Sequence, residues 1–164
     1  MNNSFGFVLL KKLHRNARLP ERKYQSAGYD LFPINEGCIV QGKRAIIDLG
    51  FATEFDPGWV ALIFDRGGMG IKGMIRLAGV IDSDYRGEWK VVLHNLSETD
   101  HYYGPDKAIA QVLFMPFFAP IMNWVPDGEE LALTERDKQM SGSSDGRVIE
   151  VGLGFSGRGG MSGI

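Results

Sequence analysis

The chain has 164 residues, a formal charge of −2, 44% apolar and 23% charged residues, and a single cysteine. That is enough for one domain with a real core, and too little for two comfortable ones. The charge excludes a basic field that recruits nucleic acid, and lone Cys38 excludes an internal disulfide, which fits the cytoplasm.

In chain order, Phe5, Phe7, Val8, Leu9 and Leu10 open an apolar run that Lys11 and Lys12 end. It is too short to span a membrane, and its charges fall on the wrong side for a signal peptide. Strands are expected at Phe5–Leu10, Gly37–Val40, Ala45–Leu49, Trp59–Phe64, Met74–Ile81, Trp89–Leu93, Ile109–Phe114 and Val148–Val151. Turn chemistry at Asp56-Pro57-Gly58, Arg86-Gly87 and Gly104-Pro105-Asp106 separates them. Only Asp127–Lys138 has the composition of a short helix. The 22 glycines, nearly twice the usual share, punctuate the strands and crowd the last twenty residues. Many short strands with such turns predict an all-β jelly-roll barrel with an extended, glycine-rich C-terminal arm. The expected division is a barrel over 1–136, a linker over 137–151 and the arm over 152–164. The arm has too little apolar surface to order itself, so it is either a frayed end or a segment that folds over something.

Four segments carry candidate chemistry. Gly79-Val80-Ile81-Asp82-Ser83-Asp84-Tyr85-Arg86-Gly87 sets a carboxylate at the end of an apolar strand, with an aromatic ring three residues on. A carboxylate so placed suits a general base toward water, and the ring suits packing against a sugar. The same residues are also ordinary turn chemistry. Arg66-Gly67-Gly68-Met69-Gly70-Ile71-Lys72-Gly73 combines exposed backbone N–H groups with flanking cations, which suits anionic oxygens, or else forms a long hairpin loop. Asp30, between Gly28-Tyr29 and Leu31, is a candidate for holding water around a metal ion or a strand-entry acid. Gln111, in Ala108-Ile109-Ala110-Gln111, either donates to a phosphate or faces solvent. His14, His94 and His101 lack paired ligand spacing, which argues against a zinc site. Acid–base chemistry on water, with a hard cation carried by substrate phosphates, is the economical option.

Read in order, these segments resemble the five motifs of the trimeric dUTPase family, over about residues 5–160. Ala27–Leu31 is similar to the first, Arg66–Gly73 to the second, Gly79–Gly87 closely to the third, Ala108–Gln111 to the fourth and the tail around Phe155 to the fifth. Asn95 also falls at a family position. The resemblance implies a homotrimer with sites shared between subunits, no nucleic acid or membrane partner, and hydrolysis of dUTP to dUMP and pyrophosphate. It implies Mg2+ chelated by the triphosphate, with Asp30 supporting the metal's water shell. Asp82 would activate the water that attacks the α-phosphorus, and Tyr85 would pack under the deoxyribose and reject ribose. Uracil would pair with the backbone of Gly79, Val80 and Ile81 and near Lys90. Arg66, Gly67, Gly68 and Gln111 would hold phosphates, and Phe155, Ser156 and Gly157 would close over the nucleotide.

The chain departs from the family pattern in three places. Gly67 stands where the second motif carries serine, and Ala108 where the fourth carries arginine, with Lys107 one place earlier. About a dozen extra residues separate Thr134-Glu135-Arg136, which resembles the fifth motif's entry, from the glycine cluster. The closing residue is then Phe155 or Leu153, and a stacking role favours the aromatic ring. Two other functions compete: a catalytically impaired, nucleotide-binding regulatory protein, and a dCTP deaminase-type relative. The latter lacks the expected glutamate in Trp89–Asn95.

Overall fold

The computed structural model describes residues 6–133. The chain divides into two compact units, 1–120 and 121–164. The first unit holds, in order, β1 (Val8–Lys12), β2 (Tyr29–Leu31), β3 (Gly37–Ile39), β4 (Arg44–Asp48), β5 (Phe51–Phe55), β6 (Trp59–Phe64), α1 (Gly67–Ile71), β7 (Met74–Leu77), β8 (Val80–Ile81), β9 (Lys90–Asn95), β10 (His101–Tyr103) and β11 (Ala110–Pro116). The expected all-β class is observed.

A closed jelly-roll barrel is not. The strands form four separate sheets, ordered β1–β5, β3–β10, β2–β11–β6–β8 and β4–β9–β7, and none closes on itself. Closure needs an unbroken hydrogen-bonded circuit with matched stagger. These strands are only two to seven residues long, and each ladder ends before it reaches the next sheet. The sheets instead share a core. Leu31, Ile63 and Val112 come from the four-stranded sheet, Ile47, Met74, Val91 and Leu93 from the three-stranded one, and Ile39, Phe51 and Phe55 from the two small ones. Trp89, 1% exposed, anchors this core, with its indole N–H donating to Thr53 Oγ1 at 2.9 Å.

The predicted run Met74–Ile81 is two strands. Ala78 (φ +62°) and Gly79 (φ +122°) break it, so β7 pairs with β9 while β8 pairs with β6. Where a long loop was one expectation, Gly67–Ile71 forms a single helical turn that Arg66 enters with extended backbone. Over residues 121–133 there is neither helix nor strand. Gly128 at φ +87° and a turn in which the Glu129 N–H reaches the Pro126 carbonyl (3.0 Å) replace the start of the expected helix at Asp127. The end of that helix and the expected strand Val148–Val151 lie outside the described residues. No helix among the described residues is long and apolar enough to cross a membrane.

Asn95 is fully buried, and it holds the fold rather than a ligand. Its Nδ2 donates to the carbonyls of Ile39 (2.8 Å) and Thr99 (2.7 Å), and its Oδ1 accepts from the Ser97 N–H and hydroxyl.

Candidate functional site

β8 pairs with β6 and β9 with β4 and β7, so Gly79–Gly87 turns from one sheet to another rather than closing a hairpin; its residues converge because they are close in sequence. Gly79, Val80, Ile81, Asp82, Tyr85 and Lys90 line one cleft of about 250 Å3, together with Ile63, Arg76 and Glu88. The Ile63 N–H donates to the Gly79 carbonyl at 2.8 Å, and a β-carbon on Gly79 would stand 3.0 Å from the Ile63 carbonyl oxygen. Close approach and positive φ both require glycine there. After β8 the chain turns, with the Tyr85 N–H bonded to the Asp82 carbonyl at 3.1 Å. Asp82 is exposed, and no described side chain hydrogen-bonds or ion-pairs with its carboxylate. The Tyr85 ring lies over Gly87, and its hydroxyl donates to the Glu88 carbonyl at 3.2 Å. The Lys90 ammonium pairs with Asp48 and, at 3.3 Å, with Glu88; the hydrogen bond to Asp48 chiefly raises its pKa above the usual lysine value.

A second cleft, of about 950 Å3, contains Asp30, Arg66, Gly68, Lys72 and Lys107. Sheet register builds it: Gln111 on β11 stands opposite Asp30 on one side and Phe64 on the other, so Asp65 and Arg66 leave the sheet beside them. Arg66 clasps Asp30 with two nitrogens, at 2.8 and 3.1 Å, and its third donates to the Ala108 carbonyl at 3.2 Å. That fork fixes the guanidinium while leaving it 38% exposed. Gln111 donates to the Asp65 carbonyl at 2.9 Å, which holds the approach to Arg66. Gly28 makes room for it, because a β-carbon there would come within 2.7 Å of the Gln111 amide oxygen. The N–H groups of Gly67 and Gly68, in the first turn of α1, have no acceptor within the helix. Ala108 is buried, whereas Lys107 reaches the cleft. His101 also lines it; burial, reinforced by the charge of Lys72, pushes its imidazole below the ordinary histidine value. Burial likewise raises the pKa of the neighbouring Tyr103.

The two clefts share no residue. Within the chain, Asp82 and Tyr85 line one cleft, and Asp30, Arg66 and Gly68 line the other. Phe155, Ser156 and Gly157 lie outside the described residues. The sequence reading missed Arg76, whose signal was a charge inside the otherwise apolar run Met74–Ile81. It also missed Glu88, which accepts from the Gly50 N–H at 3.0 Å and from Lys90.

Among the described residues, no group of three or more histidine, cysteine or acidic side chains stands close enough to hold a metal ion. Asp30 has acceptor capacity beyond its two bonds to Arg66, which fits an indirect hold on a metal through water.

Fold and site together define a small all-β protein that carries a cleft around Asp82 and Tyr85 and a second, mixed-charge cleft around Arg66 and Asp30. Residues 15–145 match the protein-family model described as dUTPase. The deoxyuridine 5'-triphosphate nucleotidohydrolase of Yarrowia lipolytica is 37% identical over 134 residues, which cover 80% of this chain and 85% of that protein. Its counterpart from Paramecium bursaria Chlorella virus 1 is 34% identical over 127 residues, covering 76% and 90%. Among solved structures, a mutant dUTPase from phage phi11 of S. aureus matches with a TM-score of 0.69 at 22% identity, over 76% of this chain and 99% of that one. A mutant of the Staphylococcus bacteriophage 80alpha dUTPase matches at 0.70 with 24% identity, over the same shares. The chain belongs to the dUTPase family.

Proposed function

We propose that this enzyme hydrolyses dUTP to dUMP and pyrophosphate at sites completed between copies of the chain. The observation that carries the reading is the single cleft holding Gly79, Asp82 and Tyr85, with the Asp82 carboxylate unpaired among the described residues. Asp82 takes a proton from a water whose oxygen attacks the α-phosphorus; the bond to the bridging oxygen breaks, and pyrophosphate leaves. The Tyr85 ring packs under the deoxyribose and crowds out a 2'-hydroxyl. The backbone of Gly79, Val80 and Ile81, with Lys90 nearby, receives uracil.

Arg66, the N–H groups of Gly67 and Gly68, and Gln111 hold the phosphates from a second copy. This division accounts for two clefts with no shared residue in one protomer. Mg2+ chelated by the triphosphate would offset its charge, and Asp30 would hold water in that ion's shell. The related phi11 enzyme is described as coordinating a structural Mg(II) ion. Phe155, Ser156 and Gly157, on an arm over 152–164, close the site and exclude bulk water. The working form is a homotrimer in the cytoplasm. Its assembly is supported by an outward row on the three-stranded sheet, where Ile46 and Leu77 flank Val92 and are 64% and 40% exposed.

The test is pyrophosphate release from dUTP and Mg2+ by purified protein, repeated with Asp82→Asn. Loss of a general base predicts a fall in kcat of about 10²- to 10⁴-fold. Nucleotide affinity, read by titration calorimetry, stays within a few-fold. Full turnover in the variant removes Asp82 from the role.

A further inference from the structure

The formal charge of −2 conceals an uneven chain. Between residues 11 and 23 stand six cations and a single acid, Glu21. Glu21 pairs with Arg18, and no described carboxylate pairs with the exposed Lys11, Lys12, Arg15, Arg22 or Lys23. This basic ribbon ends in a small, well-tied loop. The Glu21 N–H donates to the Asp30 carbonyl (3.2 Å) and the Asp30 N–H to the Glu21 carbonyl (2.7 Å), which closes the base of the loop. Within it the Ser26 N–H donates to the Lys23 carbonyl at 3.0 Å, and Arg22 Nε donates to the Ser26 carbonyl at 2.6 Å. Tyr24 occupies the tip, 99% exposed and at φ +50°. Left-handed backbone at the second position of such a turn suits glycine or asparagine, and a bulky residue there is strained. A ring that is both strained and bare serves neither the core nor the turn, and strain of this kind points to function.

We infer that this ribbon binds single-stranded nucleic acid: Tyr24 stacks on a base, and Lys11, Lys12, Arg15 and Lys23 hold phosphates. The inference stands apart from the reading of the two clefts. It runs against the expectation of no nucleic acid partner, which came from the whole-chain charge and the family resemblance. The acidic remainder of the chain removes any long-range pull, so the contact is local and sensitive to salt. An exposed ring beside cations is the pairing of stacking and charge that holds an unpaired strand without reading its sequence. A duplex hides its base faces from such a ring. The same charges suit an acidic protein or an anionic lipid surface. Along the loop, however, Arg22, Lys23, Gln25 and Ser26 flank the ring with polar groups. That setting gives an apolar partner no patch to cover and leaves the faces of the ring as the contact.

The experiment is fluorescence anisotropy of the full chain with a labelled oligo-dT strand of about 20 nucleotides, and with its duplex. Binding to the single strand is expected to weaken about 50-fold between about 50 and 200 mM salt, as about four phosphate contacts require. The combined variant Lys11→Gln, Lys12→Gln and Arg15→Gln should lower the slope of log affinity against log salt by about 2. Tyr24→Asn, which keeps a residue at ease in left-handed backbone, should lower affinity about tenfold while the melting temperature holds or rises. A fall in melting temperature would instead make the ring an anchor of the loop and overturn the inference. So would absence of binding at low salt, duplex bound as tightly as the single strand, or full affinity in Tyr24→Asn. Tighter capture of poly-glutamate or of phosphatidylserine vesicles than of the strand assigns the ribbon to another partner and overturns it as well. None of these readouts depends on dUTP hydrolysis, so the reading of the clefts is tested separately.

Discussion

Gly67 occupies open space. A β-carbon there would meet nothing within 4 Å, and its backbone is outside the left-handed region. Neither packing nor conformation therefore demands glycine at the entry to α1. The position matches the serine of the second dUTPase motif, so the missing hydroxyl joins the arginine replaced by Ala108 as a local deficit of the proposed phosphate cleft. Gly67→Ser is expected to raise kcat/KM for dUTP about tenfold, equivalent to one hydrogen bond to a charged group at about 1.5 kcal/mol. The melting temperature should hardly move. Steady-state kinetics of the two proteins check this, and no gain would mean that the backbone N–H groups already fill the role. The adjoining Arg66 differs in kind, because its fork onto Asp30 and Ala108 fixes a geometry that a lysine cannot copy.

Among elements, the turn from β8 to β9 was the most legible part of the chain, and for a local reason. Its residues lie within a dozen positions of one another, so the turn itself brings Asp82, Tyr85 and Lys90 to one cleft. On the candidate phosphate side the sequence offered residue types but not their geometry, because Asp30, Gln111 and Arg66 meet only through the register of β2, β11 and β6. β2 and β10 escaped notice because three residues of mixed polarity give no periodic signal. β5 was missed although Phe51, Thr53 and Phe55 do alternate. Barrel closure failed as an expectation because it depends on ladder continuity, which composition does not encode. The turn yields a test of its own. A β-carbon on Gly87 would collide first with the Tyr85 hydroxyl and ring, which supply its three nearest neighbours. Tyr85 is 43% exposed and free to swing aside. Gly87→Ala should therefore cost no more than about 0.5 kcal/mol, as surface changes do. It should nevertheless lower the preference for dUTP over UTP about tenfold, because the ring no longer sits where it excludes a 2'-hydroxyl. Melting curves and kinetics with both nucleotides separate the two effects; a large stability loss with intact sugar selectivity would contradict this placement of Tyr85.

At the scale of the whole molecule, the proposed division of the site between two clefts would tie catalysis to assembly. The outward face of β4–β9–β7 is the junction this proposal points to, because Leu77 and Val92 belong both to that face and to the wall of the Asp82 cleft. In the proposed assembly a second copy seated there would cover exposed apolar surface and bring its own Arg66 segment toward Asp82. Ile46 stands opposite Val92 but lines neither cleft, so it reports on assembly without touching substrate. Ile46→Glu places an unpaired charge in the buried junction, a change that costs several kcal/mol when no partner neutralises it. In light scattering the variant should run as monomer while keeping the wild-type circular dichroism, since its side chain faces outward. Its dUTP turnover should fall at least about 100-fold, because each protomer then holds only half of the positioning groups that orient water and phosphate. Raising the protein concentration should restore part of the rate in step with the oligomer fraction, as mass action requires. A monomeric Ile46→Glu protein with full turnover would show that one chain completes the site alone, and the two clefts would then need another explanation.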